Sequence, residues 1–307
     1  MPEAQSDRLP VAAARGLAAP KVLTRDQVAS YHANGYVAVE RLIKQPLLKQ
    51  LQDLAQEFID RSRKVSASDD VFDVAPSHTA QAPKLRRLKT PDEQHPLFWE
   101  TATGIIADVA ADLIGPDVTF HHSKLNFKWA DGTDQVRWHQ DISFYPHTNY
   151  DLLTIGVYLH GAAADDGPLM VLPKSHLGPV CNQYDAKGAW TGSLSDADVA
   201  KLPLDQAVTI TLPPGSVTVH NAVTLHASGN SKSKTGRPLL LFAYAPADAF
   251  PYTPNPSKSR HDRALVRGNP ARWARMDPRP CLVPPDWSKG YTSIYAAQAG
   301  EDKSGMM

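Results

Sequence analysis

Residues 118–129 have the sequence VTFHHSKLNFKW, in which polar and apolar side chains alternate. The side chains of a β-strand point alternately to its two faces, so this stretch predicts a strand with two chemically different faces. One face carries His122, Lys124, Asn126 and Lys128. The other face carries Leu125, Phe127 and Trp129. If the apolar face packs against helices, the polar face looks into a barrel, and a solvent-exposed polar face is the alternative.

Further short strand-like segments follow in the second half of the chain. They are β-branched or alternating, are separated by Gly, Pro, Asp or Asn, and cover residues 136–144, 152–160, 168–172, 207–212, 216–221 and 237–245. A series of short strands after a few helices is typical of a sandwich or jelly roll. We therefore expect a mainly β fold with flanking helices packed on its outside.

Helical patterns lie in the first part of the chain. Thr24 and Gln27 have the spacing of a capping box, which predicts that a helix begins there. Residues 46–63 have apolar side chains at helical spacing, and residues 96–114 show a second such stripe that ends at a Gly-Pro pair. Residues 64–83 show no periodicity, so we expect a loop over the surface or over a site.

The outer parts of the chain show less regular patterns. Residues 1–22 are rich in Ala and Pro and are expected to be a mobile N-terminal arm, and residues 23–307 to form a single domain. The tail at residues 251–307 is rich in Pro and Arg, and we expect it to help shape a pocket.

Composition excludes several classes of protein. The chain has 307 residues, of which 42% are hydrophobic, so it can bury a full core. Its 32 basic and 32 acidic residues cancel, which argues against nucleic acid as a partner. We see no apolar stretch near the ~18 residues that span a bilayer and no signal peptide, and Cys181 and Cys281 do not resemble a secreted disulfide framework. A cytoplasmic protein that does not contact a membrane is the expectation.

The sequence Trp138-His139-Gln140-Asp141 is the sharpest candidate for a metal site. In a continuous strand His139 and Asp141 share a face and can bind one ion together. His226 is the candidate third ligand, because two histidines and one carboxylate form the facial triad that holds non-haem Fe(II) with open positions. A bare His-x-Asp pair is weak evidence by itself, since most such pairs are ordinary surface residues.

Arg237 stands at the start of the apolar run Pro238-Leu239-Leu240-Leu241. A guanidinium in such a strand needs an anionic partner, because burying it unpaired costs much free energy. That partner is either the acid group of a ligand or an internal Asp or Glu, and the residues alone leave both possibilities open.

Taken together, these motifs resemble the phytanoyl-CoA dioxygenase (PhyH) family of Fe(II)/2-oxoglutarate-dependent oxygenases, whose core is a double-stranded β-helix, a cupin-like jelly roll. The resemblance covers roughly residues 23–245 and rests on an opening Leu-Thr-x-x-Gln-Val, on Trp-His-Gln-Asp, on the segment DGPLMVLPKSH at residues 166–176, and on HASGN at residues 226–230 followed by Arg237. It implies that His139, Asp141 and His226 bind iron and act in catalysis. It also implies that Arg237, helped by Ser228, holds the distal carboxylate of 2-oxoglutarate, with Lys128 nearby.

The resemblance implies a hydroxylase that uses Fe(II), 2-oxoglutarate and O2 to oxidise a C–H bond of a small organic molecule, with succinate and CO2 as coproducts. Asn126, on the same strand face as Lys128, is a further candidate for a contact with the cosubstrate. Two alternatives stay open: a non-catalytic jelly-roll binding module, and a cupin-like metal enzyme that does not use 2-oxoglutarate. Neither the substrate nor the oligomeric state follows from the sequence.

The chain departs from the family pattern where many members place a Trp beside the cosubstrate. Gly156-Val157 stands there instead, and we expect the smaller side chains to leave room. The packing of the cosubstrate therefore cannot be carried over from the family.

Several other polar or aromatic residues have more than one interpretation. The basic run Lys84, Arg86, Arg87 and Lys89 is expected to be a solvated surface, with a flap that grips an anionic substrate as the alternative. Phe144 and Tyr145 are either pocket walls or core residues. Three further histidines are expected to be hydrogen-bonded structural residues rather than ligands: His160, His176 and His220.

Overall fold

The long strand predicted at residues 118–129 is the central feature of the fold, here called β4 (Val118–Lys128). The computed structural model describes residues 19–130, 135–233, 236–289, 291 and 293–299. Strand β4 pairs with β11 (Arg237–Pro246) over almost its whole length, and Lys128 lies opposite Arg237 in that register. The site residues of two distant segments are therefore placed side by side by one strand pair.

Two antiparallel sheets form the described jelly roll. The other strands are β1 (Tyr36–Val39), β2 (Phe72–Val74), β3 (Leu85–Lys89), β5 (Val136–His139), β6 (Leu153–Tyr158), β7 (Leu169–Val171), β8 (Val208–Ile210), β9 (Ser216–Asn221), β10 (His226–Ser228) and β12 (Leu265–Arg267). The larger sheet has the order β1-β9-β6-β11-β4-β3-β2, with β12 also paired to β4. The smaller sheet has the order β5-β10-β7-β8, so the mainly β prediction is confirmed.

The described helices are α1 (Arg25–Asn34), α2 (Leu47–Ser62), α3 (Pro91–Gln94), α4 (Pro96–Thr103), α5 (Ile105–Ile114), α6 (Asp196–Val199) and α7 (Ile294–Ala299). The longer ones among α1 to α5 pack on the larger sheet, whereas α7 contacts β5 of the smaller sheet. The capping box of α1 is present: the Gln27 backbone N–H donates to Thr24 Oγ1 at 3.1 Å, and the Thr24 backbone N–H donates to the Gln27 side chain at 2.8 Å. None of the described helices combines the length and the apolar content needed to cross a bilayer.

The main core lies between these helices and the apolar face of β4. Leu125 and Phe127 are fully buried there, together with Phe58 of α2 and Phe98 of α4. Because this face of β4 is occupied by helices, its polar face must turn toward the interior between the two sheets. The barrel-facing interpretation is therefore confirmed, and the solvent-exposed alternative is wrong.

Three local expectations need correction. The helix predicted over residues 96–114 is two helices, because the chain breaks at Gly104, whose φ of −86° and ψ of −130° are not helical. The strand predicted over residues 136–144 ends at His139, and a single 3₁₀ turn, Asp141–Ser143, follows it. The loop predicted at residues 64–83 contains the short strand β2.

Most of the expected N-terminal arm, residues 1–18, lies outside the described residues. At its end, the backbone N–H groups of Lys21 and Val22 donate to the Asp112 carboxylate at 2.7 and 2.8 Å. These two residues are thus tied to α5. The division of the chain into an arm and one domain stays a prediction.

Candidate functional site

The side chains of His139, Asp141 and His226 converge at one end of the smaller sheet. His139 is the last residue of β5 and His226 the first residue of β10, and the two lie directly opposite each other in the strand pairing. Asp141 Oδ1 lies 3.6 Å from His139 Nε2 and 3.8 Å from His226 Nε2. The ligand atoms of the three residues all lie within 4.8 Å of one another, so one ion can contact all three.

The convergence does not arise from a continuous strand. Asp141 begins the 3₁₀ turn that follows β5, so its carboxylate is directed by the turn and not by strand alternation. In addition, the backbone N–H of Ile142 donates to the carbonyl of Ala222 at 2.9 Å, which anchors the turn. His139 and Asp141 therefore lie side by side as expected, but the prediction that they share one face of a continuous strand was wrong.

Backbone carbonyls orient both imidazoles. The Nδ1 of His139 lies 2.9 Å from the carbonyl oxygen of Arg137, and the Nδ1 of His226 lies 2.9 Å from that of Thr224. A carbonyl accepts only, so each Nδ1 carries the proton and each Nε2 is left as a lone-pair donor. Metal-binding histidines are commonly held in this way. Burial, and next the neighbouring His139, hold the pKa of His226 well below its usual value, which also favours the neutral ligand form.

The second oxygen of Asp141 is held by neighbouring side chains. Thr154 Oγ1 donates to Asp141 Oδ2 at 2.8 Å, and His220 Nε2 lies 3.3 Å from the same oxygen. Burial alone would raise the pKa of Asp141, but the Lys124 ammonium and then the nearby imidazoles outweigh it and hold the pKa well below its ordinary range. Asp141 is therefore ionised, with Oδ1 free to face an ion.

This donor set fits Fe(II). Two neutral imidazoles and one carboxylate are the ligands of the facial triad, and all three residues are buried. The three side chains line a cavity that would leave space for the open coordination positions of such a centre.

The cavity extends from these residues to Arg237, and together with its mouth it encloses about 600 Å³. Arg237 is 5% exposed, and its Nε and Nη1 are buried without a hydrogen-bond partner. Within the described part of the chain, no Asp or Glu forms an ion pair with it. The internal partner that was the alternative for this arginine is thus not found among those residues, and the guanidinium faces the cavity.

Lys128, Asn126 and Ser228 also line this cavity, as expected. The Nζ of Lys128 donates to the carbonyl of Gly229 at 2.6 Å, so the ammonium ties β4 to the end of β10. The carbonyl of the Asn126 side chain accepts from Arg87 Nε at 2.9 Å, which leaves its NH2 group for other contacts.

The place of Gly156 is less open than expected. A Cβ at this position would lie 3.2 Å from Thr218 Oγ1 and 3.3 Å from Leu239 Cδ1, and both of these residues line the cavity. The expectation of free room is therefore wrong, because neighbouring side chains already fill much of the space that a larger residue would take.

A second, smaller cavity adjoins the first at Asp141 and Lys124, and together with its open mouth it encloses about 300 Å³. Phe144 and Tyr145 line it and also belong to a buried hydrophobic cluster, so the pocket-wall and core interpretations both hold for these two residues. Arg87 and His122 lie in the same wall.

The solvated-surface interpretation of the basic run is wrong at its centre. Arg86 and Arg87 are 4% and 3% exposed, because strand β3 is covered on both faces. Arg86 pairs with buried Asp73 at 2.9 Å, whereas Arg87 turns into the smaller cavity.

Sequence reasoning missed residues of the C-terminal tail. Ile294 lines both cavities, Tyr291 lines the smaller one and Tyr295 lines the larger one. The expectation that the tail helps shape the pocket is confirmed, but no sequence pattern singled out these residues. His220 was treated as structural, and its contact with Asp141 agrees with that interpretation.

The double sheet and the His139-Asp141-His226 cluster define a jelly-roll enzyme of the non-haem iron oxygenase class. A model of the phytanoyl-CoA dioxygenase (PhyH) family matches residues 31–239, and the chain belongs to this family. The chain is therefore a 2-oxoglutarate-dependent dioxygenase that uses Fe(II) and O2. The non-catalytic module and the cupin-like enzyme without 2-oxoglutarate are set aside.

Two curated relatives illustrate the range of the family. A probable α-ketoglutarate-dependent hypophosphite dioxygenase of Stutzerimonas stutzeri is 30% identical over 285 residues, which cover 89% of this chain and 96% of the relative. The ectoine dioxygenase of Sphingopyxis alaskensis is 27% identical over 156 residues, which cover 49% of each chain.

Solved structures share the fold. EctD from S. alaskensis with 2-oxoglutarate and 5-hydroxyectoine has a TM-score of 0.64 at 23% identity, covering 92% of this chain and 99% of that chain. The epimerase SnoN in complex with Fe3+, α-ketoglutarate and nogalamycin RO has a TM-score of 0.60 at 20% identity, covering 82% of this chain and 94% of that chain. The double-stranded β-helix prediction is confirmed.

Proposed function

We propose that His139, Asp141 and His226 hold the Fe(II) of this dioxygenase and that Arg237 binds the distal carboxylate of 2-oxoglutarate. The observation that carries this assignment is the pairing of a buried His-Asp-His cluster with an unpartnered buried guanidinium across one cavity. A dicarboxylate that spans this cavity has one end at the metal ligands and the other at Arg237.

Ser228, Lys128 and Asn126 complete the cosubstrate end in this proposal. Ser228 adds a hydroxyl donor beside Arg237, and the NH2 group of Asn126 offers a second donor. Lys128 acts as a positioning residue, because its ammonium already holds the carbonyl of Gly229. A guanidinium and a carboxylate can form two parallel hydrogen bonds, which sets the direction of the cosubstrate.

With O2 and 2-oxoglutarate, the iron centre supplies the oxidising power that turns an X–H bond of the substrate into X–OH. The reaction balances because one oxygen atom enters the substrate and the other enters succinate, with CO2 released from 2-oxoglutarate. The protein residues orient the ligands through the carbonyls that accept from each imidazole Nδ1, and they exclude bulk water from the buried site. A C–H bond of a small organic molecule is the first candidate for oxidation.

Oxidation of the P–H bond of hypophosphite is the second candidate. It is favoured by the relative of that name, which aligns with nearly the whole chain. The two candidates share the same iron and cosubstrate residues and differ only in the occupant of the smaller cavity.

The direct test is an anaerobic titration of the protein with Fe(II) and then 2-oxoglutarate. We expect a metal-to-ligand charge-transfer band in visible absorption that saturates at one equivalent of each. A screen for succinate formation above the rate without substrate then compares small organic molecules with hypophosphite. A missing band at saturating 2-oxoglutarate would count against the cosubstrate site.

Other aspects stay predictions. The balanced charge supports the expectation that nucleic acid is not a partner. A cytoplasmic location is likewise an expectation from the sequence, and the oligomeric state has no prediction.

A further inference from the structure

Arg87, Lys124 and His122 meet at the smaller cavity beside Asp141. Arg87 is on β3, and the other two residues are on β4, next to it in the sheet. Strand alternation directs His122 and Lys124 to the same face as Asn126, to which Arg87 is hydrogen-bonded. Three nitrogen-bearing side chains therefore face one small space next to the proposed iron.

The charge of Arg87 is not balanced by a carboxylate. Among the described residues, its one hydrogen bond runs from Nε to the neutral Asn126 side chain, and its buried Nη2 finds no partner there. The Tyr295 ring lies 5.9 Å from the guanidinium carbon, a further contact that carries no negative charge. Leaving a buried donor of a cation unpaired costs free energy, so this group calls for an anionic partner.

Lys124 adds a second cation. Its ammonium forms no ion pair or hydrogen bond within the described residues, and burial is the main reason that its pKa is lowered to about 8. His122 is neutral by contrast, because burial and then the Lys124 charge hold its pKa well below the usual value. It can therefore offer a hydrogen bond without adding charge.

Among the described residues that line this cavity, Asp141 is the only one with a carboxylate. In the proposed function that carboxylate is a metal ligand. It is then not available as a dedicated partner for Arg87 or Lys124. Aromatic rings close the remaining walls, since Phe144, Tyr145 and Tyr291 line the same cavity. A compact anion matches the charge of these side chains.

We propose that Arg87, Lys124 and His122 form the substrate subsite of this enzyme and select a small oxyanion whose oxidisable bond lies beside the iron. The inference rests on the proposed function, because it places the substrate next to the Fe(II) held by His139, Asp141 and His226. The shared chemistry is a compact group with two or three oxygens, supplied either by an inorganic phosphorus acid or by a small organic acid.

The test measures anion binding to the Fe(II)/2-oxoglutarate complex under anaerobic conditions, through the change in its charge-transfer band. The probes are hypophosphite, methylphosphonate and propionate. Propionamide, the uncharged analogue of propionate, is the control. A response to hypophosphite alone would identify an inorganic phosphorus acid as the substrate class. A response to propionate would identify small organic acids. We expect a saturable response to at least one anion and none to propionamide.

We expect Arg87→Gln and Lys124→Met each to lower the affinity for the anion that gives a response by about 30-fold or more. Each substitution removes one charged partner of a buried anion. Lys89→Met is the matched control, because Lys89 belongs to the same basic run but donates to the Asp69 carbonyl and lies outside the cavity wall. It should bind the anion as the parent does.

The outcomes separate the two proposals. An intact charge-transfer band with no response to any of the anions, or an equal response to propionamide, overturns the oxyanion subsite and leaves the dioxygenase assignment standing. Unchanged anion affinity in both Arg87→Gln and Lys124→Met also overturns it. Loss of the band from the parent protein contradicts the proposed cosubstrate site instead. If Arg87→Gln does not fold, Lys124→Met decides alone.

Discussion

The two ends of the active-site cavity are built from the same strand but differ in how their charges are arranged. At one end Arg237 lies opposite Lys128 on β4, with Ser228 nearby. At the other end Arg87 lies beside Lys124 and His122, further along the polar face of β4. Both ends therefore present an arginine without a carboxylate partner among the described residues, and each calls for its own anion.

The difference lies in where the residues come from. The Arg237 end uses short segments of the two central strands and of β10, which belong to the motifs that define the family. The Arg87 end combines β3, the turn after Asp141 and the C-terminal segment. In our proposals the Arg237 end binds the cosubstrate and the Arg87 end binds the substrate. Four substitutions test this separation, from the largest expected effect to the smallest.

Asp141→Ala removes the residue that both ends share. We expect turnover to fall by at least about 1000-fold, because the metal loses its only carboxylate and with it several kcal/mol of stabilisation. Succinate formation and iron content measure the effect. Normal iron stoichiometry together with normal turnover would remove Asp141 from the metal site.

Arg237→Ala should affect only the cosubstrate end. The KM for 2-oxoglutarate is expected to rise by about 30-fold to 1000-fold, the range for removing one partner of a buried charge pair. Anion affinity at the Arg87 end should be preserved once 2-oxoglutarate is saturating. Arg61→Ala, on the outer face of α2, is a surface control. An unchanged KM would contradict the assignment of Arg237.

Thr154→Val removes the hydroxyl that holds the second oxygen of Asp141 while keeping the shape of the side chain. Residues behind a metal ligand typically contribute about 10-fold to 100-fold in metal affinity, so we expect Fe(II) to bind more weakly by that factor. The measurement is the Kd for Fe(II) by anaerobic titration. Equal affinity in both proteins would show that Asp141 is held without Thr154.

Gly156→Ala should have the smallest effect and act near the Arg237 end. The new methyl group would be close to the side-chain ends of Thr218 and Leu239, which can shift. We expect a loss of about 1 kcal/mol in the free energy of unfolding, at the low end for overpacked cores. Denaturant unfolding measures it. A loss well above that value would mean that these side chains cannot move.

The sequence patterns correctly predicted the features that depend on residues close together in the chain. The capping box of Thr24 and Gln27 and the two faces of β4 depend on neighbours within a few residues, and both are present in the structure. The proximity of His226 and His139 could be predicted only from the family motifs, because the two residues are far apart in the chain. Asp141 lies beside both histidines, although it begins a 3₁₀ turn and does not lie on the continuous strand from which its position was predicted.

Arg87 shows what the sequence cannot reveal by itself. The sequence does not distinguish two adjacent arginines in a basic run. In the structure, however, Arg86 pairs with Asp73 and Arg87 faces the cavity. The two side chains have different environments because different elements cover the two faces of β3. Those elements come together only in the folded sheet. Tyr291 and Ile294 reach the site for the same reason, through the path of the C-terminal segment.

The amino-acid sequence alone predicted the strand-rich class from side-chain periodicity, and its short motifs, through the family they resemble, singled out the candidate metal ligands and Arg237. Only the tertiary structure decided which cations stay without a counter-charge and which cavity they enter. Burial and pairing are set by contacts between distant segments, and the cost of an unpaired buried charge exists only once the chain has folded around it.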